Sequence, residues 1–252
     1  MDLGLRDRFL DVWDRRFPGA EPPLTFSYAD APGRAETVAR PDRWTCFVCQ
    51  LGRARAGHPL AFSESSMGCE GGARYGGFSD RLRPHFDEFL SCGLPGVVEG
   101  ERYKKTPDLV RQVMAAAPPF RARGRYLLAI RWDRLEAADA PDVAAFFAPP
   151  DVLAGLFTWA NFEEPHPFGV IAPFGAGCAT LLQYPYAELD APSARAVLGT
   201  FDVSARPCLP SGLLSFAVPL PKLARMVADA DECFLTTEAW AKVRARLSLR
   251  NA

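Results

Sequence analysis

The sequence predicts an α/β or α+β fold: a single domain over residues 1–252 with a mixed sheet packed against helices. Two observations predict it. Apolar residues switch along the chain between the helical period and the strand period. A strand, a proline-marked turn and a helix follow one another twice, in "DVAAFFAPPDVLAGLFTWANF" at 142–162 and in "LLSFAVPLPKLARMVADA" at 213–230. Taken in order, Leu5, Phe9, Val12, Trp13 and Phe17 recur at helical spacing until Pro18-Gly19, which predicts a helix over 5–17. "PPLTFSYAD" reads as a short strand. Residues 45–57 read as helical, and 58–78 as a short extended piece followed by a Gly-rich loop. Thr106-Pro107 is a helix start, with Thr as cap and Pro in the first turn, and Leu109, Val110, Val113 and Met114 form its apolar stripe. "RYLLAIRW" reads as a strand. The two repeated units give strands at 142–147 and 213–218 with helices at 150–161 and from about 221. Thr236 or Thr237 caps a last helix carrying Trp240 and Val243. On this reading the second half of the chain supplies most of the sheet.

Composition narrows the function. Hydrophobic residues make up 48% of the 252, charged residues 23%, and the net charge is −1. Those proportions suit a globular protein with a real core, and the near-neutral balance gives no electrostatic reason for a nucleic-acid or membrane partner. No apolar run approaches the roughly 18 residues of a membrane-spanning helix. "MDLGLRDRFLDVWDRRF" is charged throughout and lacks a signal-peptide apolar region, so a cytoplasmic protein is expected. Seven cysteines in a reducing compartment point to metal, catalysis or burial rather than to a disulfide framework. No G-x-S-x-G, P-loop, H-E-x-x-H or G-x-G-x-x-G pattern occurs, which removes the support for serine hydrolase, nucleotide-phosphate and zincin chemistry.

The cysteines carry the sharpest signal. Cys46-x-x-Cys49 is followed by Cys69, and Cys69 by Gly71, Gly72, Gly76 and Gly77. Thiolates are soft, charged ligands, and a metal needs three or four of them converging from different segments. The glycines permit close backbone approach, and their N–H groups can donate to sulfur and offset its charge, so they are the candidate cofactor-binding positions. Cys178, in "PFGAGCATLLQYPY", sits where a helix begins, and Cys208, in "ARPCLPSG", lies between prolines. Either can complete or border the site. The expectation is a metal centre on Cys46, Cys49 and Cys69 with Cys178 or Cys208. An iron–sulfur cluster is favoured over zinc, because a zinc site usually shows two close pairs and only one is present. Three cysteines leave one iron open to a small molecule, for Lewis-acid or redox chemistry. A redox-active thiol, and cysteines that merely pack with no cofactor, remain alternatives. A different class is a small-molecule-binding module without catalysis, its apolar pocket near Trp159 and Phe162.

The order of five segments resembles the domain of unknown function 169 family: "CFVCQLGRARAG", "GCEGGARYGGF", "DVAAFFAPPDVLAGLFTWANF", "GAGCATLLQYPY" and "FDVSARPCLPSGLLSFAVPLPKLARM". The resemblance spans about residues 40–230. It implies a shared fold and shared placement of the cysteines but no reaction. Cys46 and Cys49 are alternatives for the family's first cysteine position, whereas Cys69 matches without ambiguity, so Cys69 is expected to matter more than Cys46. Other candidates are weaker. His58 lies inside the cysteine segment and His166 beside two carboxylates. Asp202 and Arg206, four apart, are expected to pair and fix the turn before Cys208, with binding of an anionic ligand as the alternative. Glu70 and Arg74 flank the glycines. Cys92 and Cys233 are less well placed as ligands, and Cys233 reads as a surface-helix or core residue.

Overall fold

The computed structural model describes residues 1–249. Among them one eight-stranded mixed sheet runs through the molecule. In chain order its strands are β1 (Leu24–Ala29), β2 (Glu36–Thr37), β3 (Leu60–Phe62), β4 (Tyr126–Arg131), β5 (Val143–Ala148), β6 (Val170–Ile171), β7 (Ala196–Gly199) and β8 (Leu214–Pro219). Their spatial order is β2-β3-β4-β1-β5-β8-β7-β6. The centre is antiparallel, and the two outer pairs, β2–β3 and β6–β7, are parallel.

Strand alternation explains why helices cover both faces. All six residues of β5 are buried. Ala144, Phe146 and Ala148 point into one apolar cluster, and Val143, Ala145 and Phe147 into another on the opposite face. The first face is covered by α1 (Leu3–Arg16), α7 (Pro150–Ala160), α10 (Leu220–Ala228) and α11 (Glu238–Leu249). Phe9 and Trp13 of α1 and Phe17 at its C-terminal cap stack one on the next, and Phe9 and Trp13 reach Phe146. Each such large side chain, fully removed from water, contributes about 1.5–3 kcal/mol. The second face carries the short helices α2 (Phe47–Gln50), α3 (Gly52–Arg55), α4 (Glu70–Tyr75), α8 (Gly177–Leu181) and α9 (Gln183–Leu189). Five of the seven cysteines lie in or beside these elements and the short turn Arg206–Cys208.

The structure bears out the mixed α/β class and both strand–turn–helix units, β5–α7 and β8–α10. After the short α5 (Phe86–Phe89), Pro107 opens α6 (Pro107–Ala116), and the Thr106 hydroxyl accepts from the Leu109 N–H. Thr237 is the residue whose hydroxyl accepts from the Trp240 N–H at the start of α11. As expected, the second half supplies most of the sheet, strands β4 to β8, although β1 from the first half lies at its centre between β4 and β5. Two expectations change. The expected stripe on α6 is only partly buried: Val110 is buried, Val113 and Met114 are half-buried, and Leu109 is exposed. The Gly-rich segment is not a loop, because residues 70–75 form α4. A glycine inside a helix costs about 1 kcal/mol. Here Gly72 is held by close packing, since a Cβ at Gly72 would sit 2.9 Å from Phe47 Cβ. Among the described residues no helix is long and apolar enough to cross a membrane.

Candidate functional site

Two backbone segments bring the first cysteines together. The Thr45 N–H donates to the Gly68 carbonyl at 3.0 Å. The Gln50 amide then bridges the same segments, donating to the Ser66 carbonyl at 3.0 Å and accepting from the Gly68 N–H at 2.9 Å. Cys46, the residue before α2, and Cys69, the residue before α4, flank this tie. The Cys46 thiol hydrogen-bonds to the Cys69 sulfur. Cys69 also accepts from the Gly72 N–H at 3.2 Å. One of the four glycines thus donates a backbone N–H to sulfur. Gly71 is half-exposed, and a Cβ there would meet Cys178 Sγ at 3.7 Å. Gly76 ends α4. Gly77 turns the chain with φ +74°, where a Cβ would strike the backbone of Arg121 and Ala122.

The electrostatics differ sharply among neighbouring sulfurs. Hydrogen bonding from Cys46 lowers the Cys69 pKa to about 7 despite partial burial, with help from the backbone N–H of Gly72. The same hydrogen bond, together with burial, pushes the Cys46 thiol well up. Cys178 is the second residue of α8, as expected, but its thiol is not activated by the helix end. Burial dominates and raises its pKa, and the charges of Cys46 and Asp202 push the same way. A five-residue helix has too little dipole to compete with full desolvation.

Cys49 and Cys208 are placed differently from the expectation of free metal ligands. They are joined by a disulfide that ties α2 to the turn Arg206–Cys208. A disulfide sulfur is not a thiolate, so in this form the pair is withheld from coordination. Among the described residues, no group of three or more His, Cys, Asp or Glu side chains is arranged to hold a metal ion. The expected Asp202–Arg206 ion pair does not form among the described residues, because backbone groups take both side chains. Asp202 accepts from the Gly177 N–H at the start of α8 and from Ser204. Arg206 donates to the carbonyls of Thr200 and Leu213.

Several weaker candidates fall outside the cluster. His58 is exposed in the turn before β3. His166 Nδ1 accepts from the Phe168 N–H, and its Nε2 lies 3.7 Å from Glu164. Glu70 is exposed, and Arg74 donates to the Asp80 carbonyl. Cys92 is exposed, and Cys233 belongs to the core beneath α10. Trp159 is fully buried and its indole N–H donates to the Met226 carbonyl at 2.6 Å, while Phe162 is exposed. Tyr75 and Tyr184 were not legible as site residues. Tyr75 interacts electrostatically with Cys178 and with Tyr184, and burial pushes the Tyr75 hydroxyl up to about 12. The tyrosines in "GGARYGG" and "LLQYPY" adjoin the cysteine segments, which was the available signal.

The model of the family DUF169, described as uncharacterised ArCR, matches residues 20–229. The match starts ahead of the cysteine segments and takes in β1. No curated protein and no solved structure matches the chain.

Proposed function

The chain belongs to the DUF169 family, and from that premise we propose that its converging cysteines hold a metal centre, iron–sulfur in preference to zinc. Cys69 is the principal ligand, with Cys46 and Cys178 beside it, and Cys49 or Cys208 joins once their disulfide is reduced. The observation that carries this reading is the gathering of five cysteines from four separate segments against one face of the sheet. The residues fit a soft metal in kind: thiols from several directions, one sulfur already favouring the thiolate, and a backbone N–H to offset ligand charge. With the pair oxidised three thiols remain, Cys46, Cys69 and Cys178, and reduction supplies the fourth. Gly71, Gly72, Gly76 and Gly77 would allow close approach to the centre. When bound, such a centre supplies Lewis-acid or redox chemistry on a small molecule. The protein's own contribution is to hold Cys69 with the Gly72 N–H, joined by the Cys46 thiol until Cys46 gives up its proton to become a ligand, and to shield Cys178 from solvent. A small molecule, rather than nucleic acid or membrane, is the partner we propose, and the cytoplasm is the compartment that would keep these thiols reduced.

A second reading is a small-molecule-binding module with structural cysteines and no catalysis. The disulfide favours it, because two of the five sulfurs then serve as a cross-link. Anaerobic purification under reductant, followed by iron, sulfide and zinc analysis, separates the two. We expect stoichiometric metal in the wild type, its loss in Cys69→Ser, and a smaller loss in Cys46→Ser. A colourless protein without metal after anaerobic reconstitution refutes the metal centre and leaves the binding module.

A further inference from the structure

We infer that the Cys49–Cys208 disulfide is a redox lock on the cysteine cluster, which a thiol reductant opens to supply the site's fourth thiolate and tighten metal binding. The inference rests on the metal-centre reading and adds its regulation. Three observations on the structure carry it.

The first is access. Cys49 is exposed on α2 and Cys208 is half-buried, so the bond faces solvent while Cys178 behind it is fully buried. Solvent-facing disulfides are the ones open to exchange. The second is what the bond joins. Cys49 lies one helical turn after Cys46, so the cross-link fastens the turn that carries Cys46 to the segment 200–208. That segment also frames α8: Asp202 accepts from the Gly177 N–H, and a Cβ at Gly177 would sit 3.1 Å from Ala205 Cβ.

The third is that opening the bond would not scatter the sulfurs. Arg206 anchors its turn to the carbonyls of Thr200 and Leu213. Thr200, buried with φ +58°, is fixed through Thr180 and Ser215. On the other side, Phe47 and Val48 hold α2 in the core. Both freed thiols therefore stay beside Cys46, Cys69 and Cys178.

The exchange balances. A reductant thiolate attacks the exposed Cys49 sulfur, the S–S bond breaks, and Cys208 leaves as a thiolate and takes a proton. A second reductant thiol attacks the mixed disulfide, and Cys49 leaves as a thiol. Two electrons and two protons pass to the protein, and the reductant becomes a disulfide.

The test is anaerobic Co(II) titration of the full-length protein in two states, with the Cys49–Cys208 bond assigned by peptide mass spectrometry. After reduction we expect a thiolate-to-cobalt charge-transfer band and binding tighter by about 10–100-fold than in the oxidised state, since a lost inner ligand costs at least as much as a lost outer partner. Cys208→Ser should bind equally before and after reductant, and Cys92→Ser should behave as the wild type. Equal affinity and equal bands in both states, with the disulfide intact in one, overturn the lock and leave the metal centre standing. Failure to form the disulfide in air, with cobalt still bound, also overturns the lock alone. No cobalt binding in either state overturns the metal centre and the lock with it.

Discussion

Cys69 shows how one residue's chemistry is set by its neighbours. Its sulfur accepts from the Cys46 thiol and from the Gly72 N–H, and its pKa falls to about 7. An ordinary thiol titrates near 8.5. Because the shift is downward, the thiolate population grows as the pH rises through about 7. In metal-free protein, the iodoacetamide alkylation rate of Cys69, followed by peptide mass spectrometry, should rise with that midpoint. Cys46→Ala removes the largest cause and should carry the midpoint back towards the ordinary value. A wild-type midpoint near 8.5 would show that the two sulfurs do not share a hydrogen bond in solution. Gly72 is the second case. Alanine is the better helix former by about 1 kcal/mol, yet its methyl would lie 2.9 Å from Phe47 Cβ. Overpacking at about 1–3 kcal/mol outweighs the propensity gain. Gly72→Ala should therefore lower the urea midpoint, and a raised midpoint would mean that α4 shifts freely.

At the scale of elements, the attachment of α10 to the loop after α7 rests on a buried pair. Lys222, in the first turn of α10, hydrogen-bonds to Glu164, and the two side chains are only 4% and 7% exposed. Burial works against the Glu164 carboxylate, but the Lys222 hydrogen bond and charge overcome it and hold its pKa below the ordinary range. With a folded pKa below the unfolded one, this contribution to stability is present above the ordinary carboxylate pKa. It is lost as the pH falls through the folded value. Lys222→Met leaves a carboxylate buried without its cation, and chemical denaturation at neutral pH should show a loss of about 3 kcal/mol. The double variant Lys222→Met with Glu164→Gln should recover most of it. A single-variant loss below about 1 kcal/mol would mean that water reaches Glu164 and replaces the lysine.

Across the whole molecule, the Cys49–Cys208 bond closes a loop between residues 159 apart in sequence. Such a cross-link restricts the unfolded chain, an effect typically worth about 2–4 kcal/mol. In metal-free wild type, a phosphine reductant should lower the unfolding free energy by that amount. Cys208→Ser should show no response to reductant. Identical unfolding curves with and without reductant in the wild type would mean that the bond is absent or that its loop is already restricted in the unfolded state. The bond joins the first half of the chain to the second across the face that bears the cysteine cluster, much as β1 joins them within the sheet between β4 and β5.

Local pattern carried much of the fold. The periodicity of Phe9, Val12, Trp13 and Phe17, the Thr106-Pro107 start and the two strand–proline–helix units each depend on contacts within a few residues, and such contacts are written in spacing. The sequence alone also singled out the cysteines that gather on one face, because thiols beside glycines are unusual in composition. Pairing over long separations was not legible. Nothing near Leu24 says that β1 inserts between β4 and β5, and nothing near Cys49 or Cys208 says that they bond to each other as a disulfide, because those pairings are chosen by packing of the whole sheet. The role of Gly72 was hidden for the same reason: two glycines in succession read as a loop until Phe47 packs against them. Cys178 makes the point in energies. Its place at a helix start, read from the sequence, favours the thiolate weakly, whereas complete burial, which only the tertiary structure imposes, disfavours it strongly and prevails.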